Sequence, residues 1–172
     1  MAKKTLALAL LLLSACVLSA AKPGFGLEIL SSASWNRIEN VASFSLNSGC
    51  GLSLHLNTGS KTEITVSAGA EKAYSLLNLN RFASAGDYGA VYLKLGALGG
   101  FFGINAGVQL FVPQAFGSGI IPAFAADISL FREAGLGDGL VLRLGAVASV
   151  ALGKSFSSYG LGLCVMGLWR AE

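Results

Sequence analysis

Between Tyr88 and Val112 every second residue is apolar, and that alternation limits what the chain can become more than any motif in it. Val91, Leu93, Leu95 and Ala97, then Phe102, Ile104, Ala106, Val108 and Leu110, form the apolar set. Tyr92, Lys94, Gly96, Gly103, Asn105, Gly107 and Gln109 fill the gaps. A period of two is the signature of a strand whose faces meet different surroundings. Gly99 and Gly100 separate the two runs, and glycines tolerate the positive φ of a tight primed turn. A two-residue loop there sets Lys94 opposite Asn105, Tyr92 opposite Gly107 and Leu95 opposite Ile104 in an antiparallel hairpin. The polar and apolar sets then fall on opposite faces.

The surroundings of those faces follow from composition. Of 172 residues, 53% are hydrophobic and only 12% charged, about half the charged share of a soluble domain. Mean hydropathy is +0.66, yet beyond the first twenty or so residues no apolar run approaches the roughly 18 needed for a spanning helix. A closed β-barrel is the other way to satisfy a backbone in lipid. The formal charge of +3 falls to +1 without Lys3 and Lys4, so nothing recommends nucleic acid as a partner. Cys16, Cys50 and Cys164 lack metal-ligand spacing and form no disulfide framework. No cofactor motif is present.

Residues 1–21 form an address. Lys3 and Lys4 are a basic n-region, Leu6 to Leu13 a short apolar core, and Ser19-Ala20-Ala21 offers small residues for cleavage before Lys22. Leu13-Ser14-Ala15-Cys16 also resembles a bacterial lipobox, which implies acylation at Cys16. Both readings export residues 22–172 as one domain.

Alternation divides that domain into roughly eight strands, an even number that lets the last close on the first. Phe25 to Ser31 is the first, ending near Trp35-Asn36-Arg37. Ala42 to Asn57 reads as one long strand through Asn47-Ser48-Gly49-Cys50-Gly51, followed by the turn Thr58-Gly59-Ser60. Ile64 to Ala70 alternates, whereas Lys72 to Ala85 reads either as its extension or as a loop. After the hairpin come a loop at Pro113 to Gly119, a strand from Ala123 to Phe131, a Gly-rich turn from Glu133 to Gly139, and strands over Leu140–Leu152 and Tyr159–Trp169.

A soluble sandwich also alternates, but its polar face carries Lys, Glu, Asp and Arg. Here that face is Gly, Ser, Asn, Ala and Thr, which suits the inside of a narrow barrel. Aromatics, Trp35, Tyr88, Tyr159 and Trp169 among them, fall near strand ends, where membrane girdles lie. An antiparallel up-and-down transmembrane barrel is therefore the expected fold.

The inward parity isolates His55, Glu63, Lys94, Asn105, Asp127 and Arg143. A turn centred on Gly135 sets Asp127 across from Arg143 and Arg132 across from Asp138. That Asp–Arg pair would either plug the lumen as a self-satisfied ion pair or constrict a pore. His55 near Glu63 suggests a base with an orienting carboxylate, but one histidine and no serine in a nucleophile motif argue against catalysis. Gly135-Leu136-Gly137-Asp138-Gly139 is followed by no helix, so it is not a phosphate loop.

The basic start and apolar core, the alternation from Phe25 to Trp169, and the final segment Tyr159-Gly160-Leu161-Gly162-Leu163-Cys164-Val165-Met166-Gly167-Leu168-Trp169 resemble the small eight-stranded outer-membrane barrels of Gram-negative-type bacteria. That resemblance implies residence in the outer-membrane lipid and recognition of the last strand by the barrel-assembly machinery. Family members end on an aromatic residue, whereas Arg170-Ala171-Glu172 follow Trp169 here. The resemblance further implies adhesion, anchoring, resistance or conduction of small apolar molecules. Three expectations stand: a non-enzymatic envelope or surface protein, a narrow channel for hydrophobic or ionic solutes, and a periplasmic β-protein acylated at Cys16.

Overall fold

The computed structural model describes residues 22–38, 41–57, 62–78, 87–113 and 119–170. The segment 1–21 with Cys16, the Thr58-Gly59-Ser60 turn, Phe82 and Phe116 lie outside them. The eight strands are β1 (Lys22–Ile38), β2 (Val41–Asn57), β3 (Thr62–Asn78), β4 (Tyr88–Gly99), β5 (Phe102–Pro113), β6 (Ile121–Gly137), β7 (Leu140–Gly153) and β8 (Phe156–Arg170). Each pairs antiparallel with its sequence neighbour, and β8 pairs with β1 to close the barrel. A path leaving β6 at Pro122 and stepping partner to partner through Leu110, Val91, Ala70, Cys50, Ile29, Val165 and Leu144 returns to β6 at Arg132, ten residues further along. Ten strand rises spread over eight strand spacings tilt the strands by roughly 40°.

Side-chain parity follows the sequence. Phe25, Leu52, Leu95 and Leu161 point outward and are 63% to 71% exposed, while Ser34, Ser45, Ser53 and Thr65 are buried inside. Trp35 pairs with Tyr159, and Phe25 with Trp169, all facing out. Ten residues of β1 separate the two pairs, roughly 25 Å along the axis of a barrel so tilted, which is the height of a membrane barrel's apolar band.

Several boundaries and registers differ from expectation. β1 runs on through Trp35, Asn36 and Arg37, and β3 continues to Asn78. In the central hairpin the turn is Gly100-Phe101, so Lys94 faces Gly107, Gly96 faces Asn105 and Leu95 faces Ala106. Gly100 alone has positive φ, 60°, which fits a II′ turn with glycine at its first central position. Size complementarity selects this register. A Cβ on Gly96 would run into the Asn105 side chain, one on Gly103 into Leu98, and one on Gly107 into the backbone at Leu93. Large inward residues thus face glycines, whereas the expected register opposes Lys94 to Asn105. The shift is even, so the faces are preserved.

The β6–β7 turn also moves. Asp138 and Gly139 both have positive φ, 47° and 73°, as an Asp-Gly I′ turn requires. β6 therefore extends to Gly137, with a register irregularity between Gly135 and Gly137. Asp127 faces Ser149, Glu133 faces Arg143 and Arg132 faces Leu144, so the expected Asp127–Arg143 and Arg132–Asp138 pairs do not form.

Candidate functional site

The inward faces of eight strands converge on one lumen, which becomes the candidate site. One mouth carries Lys22, Arg170 and the β2–β3, β4–β5 and β6–β7 connections; the other carries the remaining four connections.

At the terminal mouth Arg143 is the hub. Its Nη2 donates to Glu63 Oε2 at 2.9 Å, its Nε to Glu133 Oε1 at 2.5 Å, and its guanidinium lies over the Phe131 ring at 5.0 Å. Arg170 Nη2 donates to Glu63 Oε1 at 2.5 Å, so one carboxylate bridges two guanidiniums. Such charge-assisted bonds compensate groups whose isolated burial is prohibitive.

His55 Nδ1 lies 3.2 Å from Glu63 Oε2, and His55 Nε2 lies 2.9 Å from Ser53 Oγ. The order Ser53, His55, Glu63 is that of a hydrolytic triad, and residues i and i+2 of one strand share a face by construction. Other side chains compete for the same atoms. Ser53 is buried and its hydroxyl is engaged by Glu28 as well. His55 Nδ1 also faces Arg143 Nη1 at 3.3 Å, a donor competing with the carboxylate for the same nitrogen. Among the described residues, the backbone beside Ser53 and His55 lies within paired strands. The array joins Ser53, His55 and Glu63 to the Arg143 guanidinium.

Midway along, Lys94 Nζ donates to Asp127 Oδ2 at 2.6 Å and Asn105 Nδ2 to Asp127 Oδ1 at 2.7 Å. Thr65 Oγ1 donates to Asn105 Oδ1 at 3.0 Å, and the Lys94 ammonium lies 4.8 Å from the Tyr92 ring centroid. A cavity of about 80 Å³ touches Glu28, His55, Tyr92, Lys94, Asp127 and Arg143, room for a few waters. Glu71 accepts from Gln109 Nε2 at 2.5 Å.

Toward the other mouth the lining changes character. Asn47 Nδ2 donates to Ser34 Oγ at 3.0 Å, and beyond them Ile38, Tyr88, Phe111 and Phe156 pack with alanines of four strands. The Tyr88 and Phe111 rings meet edge-on at 5.1 Å, and Phe111 and Phe156 stack at 3.7 Å. Tyr88 was expected at the membrane interface, but it is 0% exposed and closes the lumen instead. Its even-numbered position shares the inward parity of Tyr92 and Lys94. Trp35, Tyr159 and Trp169 lie on the outer surface.

His55, Glu63 and Arg143 therefore meet in one cluster, and Lys94, Asn105 and Asp127 in a second. Glu28, Glu71, Gln109, Glu133, Arg170 and Ser53 join them without having been singled out. Continuing the parity of β3 from Glu63 would have found Glu71, whereas Glu133 comes against Arg143 through the Asp138-Gly139 turn and the register irregularity between Gly135 and Gly137 together. Cys50 faces outward, and both it and Cys164 are free thiols. Among the described residues no cluster of His, Cys, Asp and Glu is arranged to hold a metal.

An eight-stranded barrel of this fold has a solved counterpart. The crystal structure of Neisserial surface protein A matches with a TM-score of 0.56 at 11% identity, over 83% of this chain and 95% of that one. The two chains share a fold. The resemblance read from the sequence, to small eight-stranded outer-membrane barrels, is borne out at that level. No family model matches the chain, and no curated protein matches it. Neisserial surface protein A thus informs architecture, and function must be argued from this chain's own side chains.

Proposed function

We propose that the protein is an integral barrel of the bacterial outer membrane with an occluded lumen, acting in envelope structure or surface interaction without catalysis. The observation that carries this reading is the division of the wall. Large apolar side chains cover the outside between two aromatic levels, while two ion-pair clusters and an aromatic plug fill the inside. Water cannot satisfy the outer surface, and lipid can. Export by the signal segment 1–21 and insertion by the barrel-assembly machinery, reading the strand that ends near Trp169, belong to this reading.

The channel alternative draws on the charged clusters and the central cavity, since a lumen with polar walls conducts once its constrictions part. Refolded protein in planar bilayers separates the two: silence at all applied voltages supports the occluded barrel, and steady single-channel steps overturn it. Acylation at Cys16 is compatible with the barrel but gives no account of its apolar exterior. Labelled palmitate incorporated by the wild type and not by Cys16→Ala would establish the lipid anchor. Membrane residence itself is tested by gel mobility, where an unboiled sample must migrate differently from a boiled one.

A further inference from the structure

We propose that the outer rim of the plugged mouth carries a site for the phosphate group of a membrane lipid, formed by Arg37, Lys154, Ser155 and Ser157. The inference rests on the barrel's residence in a bilayer. Arg37 of β1 and Ser157 of β8 are register partners, and Lys154 and Ser155 make the turn from β7 into β8. Among the described residues, these four side chains, with Gly153 and Phe156, border a depression of about 270 Å³ to which they bring two cations. Its volume suits a headgroup rather than a whole lipid.

The chemistry of the lining is that of phosphate recognition. A guanidinium grips two phosphate oxygens at once, an ammonium adds a point charge, and serine hydroxyls donate to the remaining oxygens. With five N–H donors, Arg37 can keep a protein contact and hold an anion together.

Position selects a lipid over a soluble anion. Two residues below Arg37 and Ser157 lies the outward pair Trp35 and Tyr159, residues that sit at the headgroup level of a bilayer. Below that pair the small outward residues Ala33 and Ser31 face Leu161 and Leu163. They leave a shallow gutter where an acyl chain attached to the bound phosphate would run.

The test uses the full chain carrying Trp169→Phe, so that Trp35 is the remaining tryptophan of two. It is refolded into phosphatidylcholine vesicles containing a minor fraction of brominated phosphatidic acid or of brominated phosphatidylcholine. Quenching by brominated phosphatidylcholine reports that Trp35 faces lipid, and its failure would overturn the membrane reading itself. Against that baseline, phosphatidic acid should quench as though enriched about five-fold or more at the site, the factor one Lys or Arg contributes at an anionic surface. Arg37→Gln with Lys154→Gln should abolish the enrichment while preserving heat-modifiable mobility. Equal quenching by the two lipids overturns the proposal. If inorganic phosphate then raises the unfolding midpoint of the parent but not of the double variant, the pocket serves a soluble anion instead.

Discussion

Asp127→Ala isolates the mid-lumen cluster. In the native barrel the carboxylate accepts from Lys94 at 2.6 Å and from Asn105 at 2.7 Å, with both ionised side chains nearly buried. Truncation removes the carboxylate hydrogen-bonded to the ammonium and leaves the Asn105 amide without its acceptor. Removing one partner of a buried pair costs about 3–5 kcal/mol. Replacing both partners, Lys94→Met with the same Asp127→Ala, removes the stranded charge as well. That double variant should lie within about 2 kcal/mol of the wild type, the residual cost being the Asn105 amide. The coupling between the two sites should then exceed about 2 kcal/mol. Urea unfolding of refolded protein in detergent micelles, followed by tryptophan fluorescence and by gel mobility, measures all four corners of the cycle. A loss below about 1 kcal/mol for Asp127→Ala, or a double variant as unstable as the single, would refute the claim that this pair satisfies itself inside a narrow lumen.

Arg143→Met leaves Arg170 as the remaining guanidinium for Glu63 and Glu133 at the terminal mouth and should cost about 1–3 kcal/mol. It should leave planar bilayers silent, because Tyr88, Phe111 and Phe156 still close the other mouth; steps appear only when Phe111→Ala and Phe156→Ala are added. Gly107→Ala places a Cβ against the backbone at Leu93 and Lys94, whereas Gly89→Ala meets nothing within 4 Å. Urea midpoints should report a loss of about 1–3 kcal/mol for the first and under about 0.5 kcal/mol for the second. Ser53→Ala should not change hydrolysis of a soluble p-nitrophenyl ester relative to wild type, since Ser53 is buried and His55 Nδ1 is shared between Glu63 and Arg143; a serine-dependent rate would contradict the non-catalytic reading.

The fold was legible because lipid outside and a narrow lumen inside impose opposite demands on alternate residues, and the chain meets them from Phe25 to Trp169. Parity also placed His55, Glu63, Lys94, Asn105, Asp127 and Arg143 on the inward face. Partnership was less legible, because parity fixes a face and says nothing of register. The β4–β5 register is set by which inward side chains need a glycine across from them, a property of pairs that no single strand displays. At β6–β7, Gly135, Gly137 and Gly139 each offer a turn, and the Asp138-Gly139 dipeptide decides among them. Tyr88, Phe111 and Phe156 show a third limit. Aromatic residues near strand ends suit an interfacial girdle or a lumen plug equally well in composition, and only their parity separates the two.

The central claim is that the greasy face of each strand meets lipid and the small polar face meets the lumen. Nitroxide scanning of residues 91 to 97 on β4, with the native cysteines replaced, tests it most directly. Collision with dissolved oxygen should be high at positions 91, 93, 95 and 97 and low at 92, 94 and 96, while a polar nickel reagent reaches none of the first set. Strong collision of the nickel reagent with a label at position 93 or 95 in vesicle-inserted protein would place that face in water and contradict the account.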